Sequence, residues 1–503
     1  MKALVSTVWT VLEGVPILER QKLDKAFAVP VKDAMRVPHL RRLIKMKRWD
    51  GCEHFLKLDD KTDQIRLPTG LLRKLTAMYP GLQVEDRSLN GFSDTWATAK
   101  LAAQTVELNG IEFSAHQRAA IISAVTNRRG IMKLATNAGK TEVGGGVVKA
   151  LGMRALWVIH LKGLLHQTAE RLELRLGMPV GRIGDGLDKP CGMVDVATMQ
   201  SIKPTKKGMR KRLADYNVLI FDEAHHLSST TQQSIAKACV NAPFRYAFGG
   251  SFPDDEIKRL KIASATDATL LYDLTNRELI ETGWSASPTV HINRIDHPGF
   301  DDSKYVVEHT EIPEDFDEDE DEKPDTVRRV LFHKIDEDLI SNNPKVDEIV
   351  LGEIEKFFMK GMTVLVLVDR IAHGAALGRK LGGKGIRYEF LNGSHNSAFR
   401  EERLREFKSG TLPVIIATSI LDEGIDVPRV QAVVLAGGGK STVKLLQRVG
   451  RALRRKQGIG ENVAHIVDFL HTGSRYTAKH GRARLTVYNS EQFEVIEEGK
   501  FTV

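Results

Sequence analysis

Residues Leu134 to Thr141 read LATNAGKT, and an apolar run, Gly130 to Leu134, leads into them. A short apolar strand followed by a small-residue loop ending in Gly-Lys-Thr is the sequence form of a phosphate cradle. Backbone N–H groups at the start of the next helix wrap a polyphosphate, the lysine reaches the outer phosphates, and the threonine hydroxyl binds Mg²⁺. On this reading Ala135, Thr136, Asn137, Ala138, Gly139, Lys140 and Thr141 hold ATP, and Thr141 is also a metal ligand. The strict pattern places a glycine five residues before Gly139, where Leu134 stands, so the motif alone is a partial match. A second stretch supplies the rest. Val218 to His225 reads VLIFDEAH, an apolar strand ending in two carboxylates. Asp222 is placed to hold the metal through its water shell and Glu223 to polarise the attacking water.

A chain of 503 residues predicts two to four domains. Its 42% hydrophobic and 27% charged residues are the composition of a soluble globular protein. The net charge of +8 leans toward a polyanionic partner and also describes a well-solvated surface. Cys52, Cys191 and Cys239 lie far apart, with no CxxC and no histidine spacing suited to zinc or an iron–sulfur cluster, which predicts a reduced, cytoplasmic setting. The opening MKALVSTVWTVLEG is interrupted by Ser and Thr and lacks a small-x-small site before Glu13, so no signal peptide is expected. No apolar stretch approaches the length of a membrane span, so no membrane partner is expected.

Residues 1–105 read as a small α+β module, with alternating apolar positions near Ala3 to Leu12 and a basic helical stretch from Val37 to Arg48. Arg41, Arg42, Lys45, Lys47 and Arg48 gather there beside Trp49 and the turn Trp49-Asp50-Gly51. That patch is either a solvated face or a phosphate-contacting surface beside an aromatic. From residue 106 short apolar strands alternate with helices: Gly130 to Leu134, Ala155 to His160, Val194 to Ala197, Val218 to Phe221 and Tyr246 to Phe248, with a helix at Leu164 to Leu176. A second series runs from Thr289 to Ile295 through Thr363 to Val368, Tyr388 to Leu391, Val414 to Ala417 and Ala432 to Leu435 to Ala464 to Phe469. This rhythm predicts two α/β domains with parallel sheets covered on both faces, at 106–285 and 286–480, then a C-terminal extension at 481–503. The acidic run about 311–326 cannot form a packed core. It reads as a mobile surface loop, or as a DNA-mimicking or protein-docking tail.

With both α/β domains in view, the set of motifs resembles a superfamily 2 helicase of the DEAH-box kind. The resemblance implies two tandem RecA-like domains. It also implies that Gln117 in IEFSAHQRAA reads adenine, and that Thr198 in VATMQS grips a nucleic-acid backbone. His225 and Ser251, the latter in FGGSFPDD, would couple the ATP site to the track. In the second domain Arg370 in VLVLVDR and Thr418 in ATSILDEGIDVP would meet nucleic acid, and Gly424 and Asp426 the nucleotide. LLQRVGRALR would put Gln447 near the γ-phosphate and make Arg451 and Arg454 arginine fingers. The chain departs from the family pattern at His160, where proline is usual, and at Gly249, where a hydroxyl residue is usual. PDDEIK at Pro253 to Lys258 resembles a PD-(D/E)xK nuclease in letters, but that site needs its elements on separate strands.

The N-terminal KMKRWDGCEHFLKLDD and IRLPTGLL resemble the N-terminal domain of UvsW-type phage helicases. This implies an N-terminal DNA-binding α+β domain on a motor that uses ATP and Mg²⁺ to migrate branched DNA, such as Holliday junctions, stalled forks, D-loops or R-loops. A phage origin would make the setting the host cytoplasm. Three other readings stay open: an RNA helicase of the same superfamily, since such motors grip backbone rather than bases; the motor subunit of a restriction or remodelling system; and a clamp that binds ATP without turnover.

Overall fold

The computed structural model describes residues 1–59, 64–135, 137–311, 325–418, 430–437 and 463–503. The alternation at the N-terminus becomes two antiparallel strands, Lys2–Val5 and Trp9–Glu13, paired Ala3 with Leu12 and Val5 with Thr10 so that all four bury on one face. They join a five-stranded sheet in the order Lys57–Asp59, Gln64–Pro68, Trp9–Glu13, Lys2–Val5, Gln83–Asp86, in which only the last pair is parallel. The basic helix is shorter than its letters suggest, Pro38–Lys45, because Lys47 takes a left-handed φ of 54° that no helix continues.

The core of this module is completed by a helix from the following domain. Leu23, Phe27, Ile65, Leu67, Leu71 and Leu75 cluster with Ala263, and Ile257 and Leu260 pack against them, all three from the helix Glu256–Ala265. The buried Arg129 guanidinium ties the same seam, donating from Nη1 to Thr7 O at 2.8 Å and from Nε to Thr266 O at 2.9 Å. Contacts accordingly divide the chain into Met1–Thr275 and Asn276–Val503.

The first unit contains an eight-stranded sheet ordered Leu187–Lys189, Gly181–Gly184, Val194–Thr198, Ala155–Ile159, Val218–Phe221, Phe244–Gly249, Arg129–Leu134, Leu270–Leu274. Every neighbouring pair is parallel except the first. Such strands must be apolar on both faces, and they are. Leu156 and Val158 pack toward Leu213 and Ile235, while Trp157 between them lies against Gly144 of the helix Lys140–Leu151. Val218–Phe221 is wholly buried, each side chain contributing about 1.5–3 kcal/mol.

Among the described residues the second unit has a sheet of seven parallel strands: Tyr388–Leu391, Val414–Ala417, Val364–Leu367, Ala432–Leu435, Val463–His471, Ser287–Asp296 and Glu494–Thr502. Leu365 and Leu367 face one cluster with Leu404 and Phe407, and Val364, Val366 and Val368 face another with Ile354 and Phe357. Both units are RecA-like. Residues 481–503, read from sequence as an extension, finish the helix Arg475–Ser490 and supply the edge strand of this sheet. The acidic run is flanked by an antiparallel pair, Val306–Glu311 with Asp325–Val330; its residues 312–324 lie outside the described ones. No helix among the described residues is long and apolar enough to cross a membrane.

Candidate active site

The cradle is built from the strand Arg129–Leu134 and the helix Lys140–Leu151. Between them Ala135 and Ala138 are buried, and the Ala138 N–H donates back to Ala135 O at 3.2 Å, which closes the loop on itself. Gly139 enters the helix at φ 77° and ψ 47°, left-handed backbone that suits glycine, and Asn137 shares that region at φ 77°. Thr136 lies outside the described residues. Thr141, half-buried, follows Lys140 on the first turn.

Gln117 reaches this loop. It is the third residue of a helix capped by Ser114, whose hydroxyl accepts from Gln117 N while Ser114 N donates to Gln117 Oε1 at 3.1 Å. The side-chain amide nitrogen goes to the cradle: Gln117 Nε2 donates to Ala138 O at 3.1 Å. A Cβ at position 139 would stand 2.3 Å from that nitrogen, so glycine here also makes room for the glutamine.

Sheet order decides what else gathers. Phe244–Gly249 lies between Arg129–Leu134 and Val218–Phe221, and all three run parallel, so Lys140, Ser251 and the Asp222-Glu223 pair emerge at one C-terminal edge. In parallel α/β sheets ligands bind at that edge. Lys140 Nζ stands 3.4 Å from Glu223 Oε1. Burial opposes the lysine's charge, but the Glu223 and Asp222 carboxylates outweigh it and hold its pKa above the usual lysine value. Asp222 is raised, first by burial and then by the neighbouring Glu223, against the pull of Lys140. Its Oδ1 accepts the Glu223 N–H at 2.9 Å. Glu223 sits at φ 48° and ψ 58°, which costs a residue with a Cβ about 1–2 kcal/mol. That turn swings the carboxylate from the strand toward Lys140.

His225 Nδ1 lies 3.5 Å from Glu223 Oε2, the oxygen not facing Lys140. Beside it the rings of His225 and His226 stand 4.1 Å apart, and those of His226 and His160 4.0 Å apart. Sequence reading placed His225 but missed that the ring of His160, at the end of the strand Ala155–Ile159, packs tilted against His226; nothing local in the letters signals a contact between neighbouring strand ends. Among the described residues no group of three or more His, Cys, Asp and Glu side chains is placed to hold a metal.

Two family models match this chain. The model described as "Type III restriction enzyme, res subunit" covers residues 110–253, which hold Gln117, the cradle, the carboxylates and Ser251. The model for the helicase conserved C-terminal domain covers residues 348–456. The DNA 3'-5' translocase XPB2 of Sulfurisphaera tokodaii is 24% identical over 379 residues, 69% of this chain and 79% of that protein. The ATP-dependent DNA helicase uvsW of Enterobacteria phage T4 is 23% identical over 414 residues, 76% of each chain. This chain is a superfamily 2 helicase. It is thereby an ATP-dependent enzyme. The solved structure of S. cerevisiae Dbp5 bound to RNA and ADP BeF3 superposes with a TM-score of 0.52 at 16% identity, covering 82% of the helicase and 94% of that chain, a likeness of fold alone. Other curated relatives are matched over 22–49% of their own length.

The residues expected to meet nucleic acid are placed as follows in the helicase. Thr198 ends the strand Val194–Thr198 at the same edge as Asp222, is 1% exposed, and donates its hydroxyl to Ser201 Oγ at 2.8 Å. In the second unit Thr418 follows the strand Val414–Ala417 and is nearly buried. Arg370 is engaged within the protein: Nε meets Asp336 at 3.1 Å, Nη1 meets Glu337 at 2.8 Å, and Nη2 donates to His333 O at 2.6 Å. In the N-terminal module Arg42, Lys45, Lys47 and Arg48 are exposed and Arg41 and Trp49 half-buried, the Trp49 indole N–H donating to Cys52 O at 2.8 Å. Gly424, Asp426, Gln447, Arg451 and Arg454 lie outside the described residues.

Proposed function

We propose that the helicase is a DNA-directed motor that hydrolyses ATP to move along duplex and remodel branched DNA, including Holliday junctions and stalled forks. The observation that carries the chemistry is the Lys140–Glu223 contact of 3.4 Å beside a buried Asp222. Choice of DNA rests on relatives named as a DNA translocase and a DNA helicase, each matched along more than two thirds of its own length. Branch migration rests on the likeness to uvsW and on the basic N-terminal module joined to the motor core.

The residues fit ATP with Mg²⁺. Two carboxylates against one ammonium leave this edge with excess negative charge, and burial disfavours the ionised Asp222 until a divalent cation balances it. Thr141 and Asp222 would hold the metal, and ATP would supply the phosphoryl group that passes to water. Lys140 Nζ would face the phosphates and Glu223 would take the water proton on a carboxylate oxygen, with His225 Nδ1 3.5 Å from the other oxygen. Gln447, Arg451 and Arg454 would add the guanidinium and amide groups that transferring charge requires. The free thiols of Cys52, Cys191 and Cys239 suit a reducing cytoplasm.

The test is E223Q assayed with ATP and Mg²⁺ alongside the parent, on single-stranded DNA, duplex DNA, a four-way junction and structured RNA. Turnover should fall by about 10²–10⁴-fold while ATP binding persists. The parent should be stimulated by duplex or branched DNA and resolve junctions only with ATP. Stimulation by RNA alone, with junctions untouched, would replace the DNA reading by an RNA helicase; undiminished turnover in E223Q would remove Glu223 from the chemistry.

A further inference from the structure

Ile202 to Ala214 reads IKPTKKGMRKRLA, six cations and no carboxylate, against a net charge of +8 for the whole chain. The segment begins four residues after the strand Val194–Thr198 ends, at the edge that also carries Asp222. It is firmly seated, since Ile202, Met209 and Leu213 are buried in the same cluster as Phe221 and Ile235. Its first turn is pinned to the Thr198 segment, where Lys206 Nζ donates to Ser201 O at 2.9 Å. Arg212 is half-buried and paired with Asp188. Lys203, Lys207, Arg210 and Lys211 are exposed and have no carboxylate partner among the described residues. Four like charges within nine consecutive residues of a segment seated by Ile202, Met209 and Leu213 repel one another, a cost that a polyanion removes.

We propose that Lys203, Lys207, Arg210 and Lys211 form a phosphodiester-binding surface that continues the nucleic-acid path outward from Thr198 and Ser201. It rests on the reading of the chain as a nucleic-acid motor. The ligand is the sugar–phosphate backbone: exposed ammonium and guanidinium groups with no aromatic among them neutralise phosphates and leave bases unread.

The experiment uses the full chain and its K203Q/K207Q/R210Q/K211Q variant, with binding to a labelled duplex and to the matching single strand followed over a range of KCl concentrations. Each lost phosphate contact lowers the slope of log affinity against log salt by about 0.9 on duplex and about 0.7 on single strand. The expected result is a slope shallower by about 2–4 with at least about tenfold weaker binding at low salt, restored by K203R/K207R/K211R, which keeps the charges. Thermal melting checks that the variant is folded. A parent that binds steeply with an unchanged slope in the folded variant overturns this surface and leaves the motor reading intact. A parent that binds no nucleic acid overturns both.

Discussion

Gly70 tests whether the N-terminal module and the motor core are one packed body. It sits in the single turn Thr69–Leu71 after the strand Gln64–Pro68, facing the helix Glu256–Ala265. A Cβ there would stand 1.8 Å from Ala263 O and 2.9 Å from Thr266 O, where real Cβ atoms essentially never come under 3.0 Å. Both obstacles are backbone, so no side chain can swing away, and the helix must retreat by more than an ångström. Retreat also strains the bond from Ala268 N to Gly70 O, 3.3 Å long, and loosens Ala263 from Leu67 and Leu71. Overpacking costs about 1–3 kcal/mol, and with unyielding neighbours Gly70→Ala should lie at the upper end, about 3 kcal/mol. For a unit of this size that corresponds to a fall of about 5–10 °C in melting temperature. The assay is calorimetry of the parent and variant, with limited proteolysis to see whether the N-terminal module is released first. A melting curve and a digestion pattern identical to the parent would refute the shared core. The same helix follows directly on the segment holding Ser251, so the variant should also lose part of its nucleic-acid-stimulated ATPase.

Two further perturbations concern the second unit. His297 and His471 are buried and joined by a 3.0 Å Nε2–Nδ1 hydrogen bond, and burial lowers His297 to about 4 and His471 well below the usual histidine value, Asp296 opposing only weakly for the first. Both are neutral when folded and charge on unfolding, so their stabilising effect is full above about pH 6.5 and is lost as pH falls toward 4, by up to about 3 kcal/mol for His297 alone. Chemical denaturation across that window should show this acid limb flattened in H297N; an unchanged limb would remove the pair from the account. Arg370→Ala leaves Asp336, 5% exposed, with Ser341 as its remaining hydroxyl donor, and should cost about 2 kcal/mol by thermal or urea melting. Weakened DNA binding with unchanged stability would instead give Arg370 back to the track.

Strand positions were legible because parallel strands buried on both faces must be continuous apolar runs: Val218–Phe221 and Ala432–Leu435 fall where the letters put them. The edge strand Glu494–Thr502 was not, because Val495, Ile496 and Phe501 are too few among its charges, and an edge strand pairs through backbone groups that carry no side-chain signal. The cradle and the carboxylates were legible for a related reason. Each is a run of consecutive residues whose chemistry is fixed by local backbone, as in Gly139 and the helix it starts.

What the chain's letters determined by themselves is the make-up of the candidate site: a Gly-Lys-Thr cradle and an Asp-Glu pair at a strand end. What only the tertiary structure decided is everything joined across long separations. The order of strands brings Lys140 to Glu223, a left-handed turn at Glu223 aims the carboxylate, His160 packs against His226, and Arg129 ties Thr7 to Thr266. These contacts are set by how sheets and helices pack into a dense interior, and close packing answers to the shape of the whole unit rather than to neighbours in the chain.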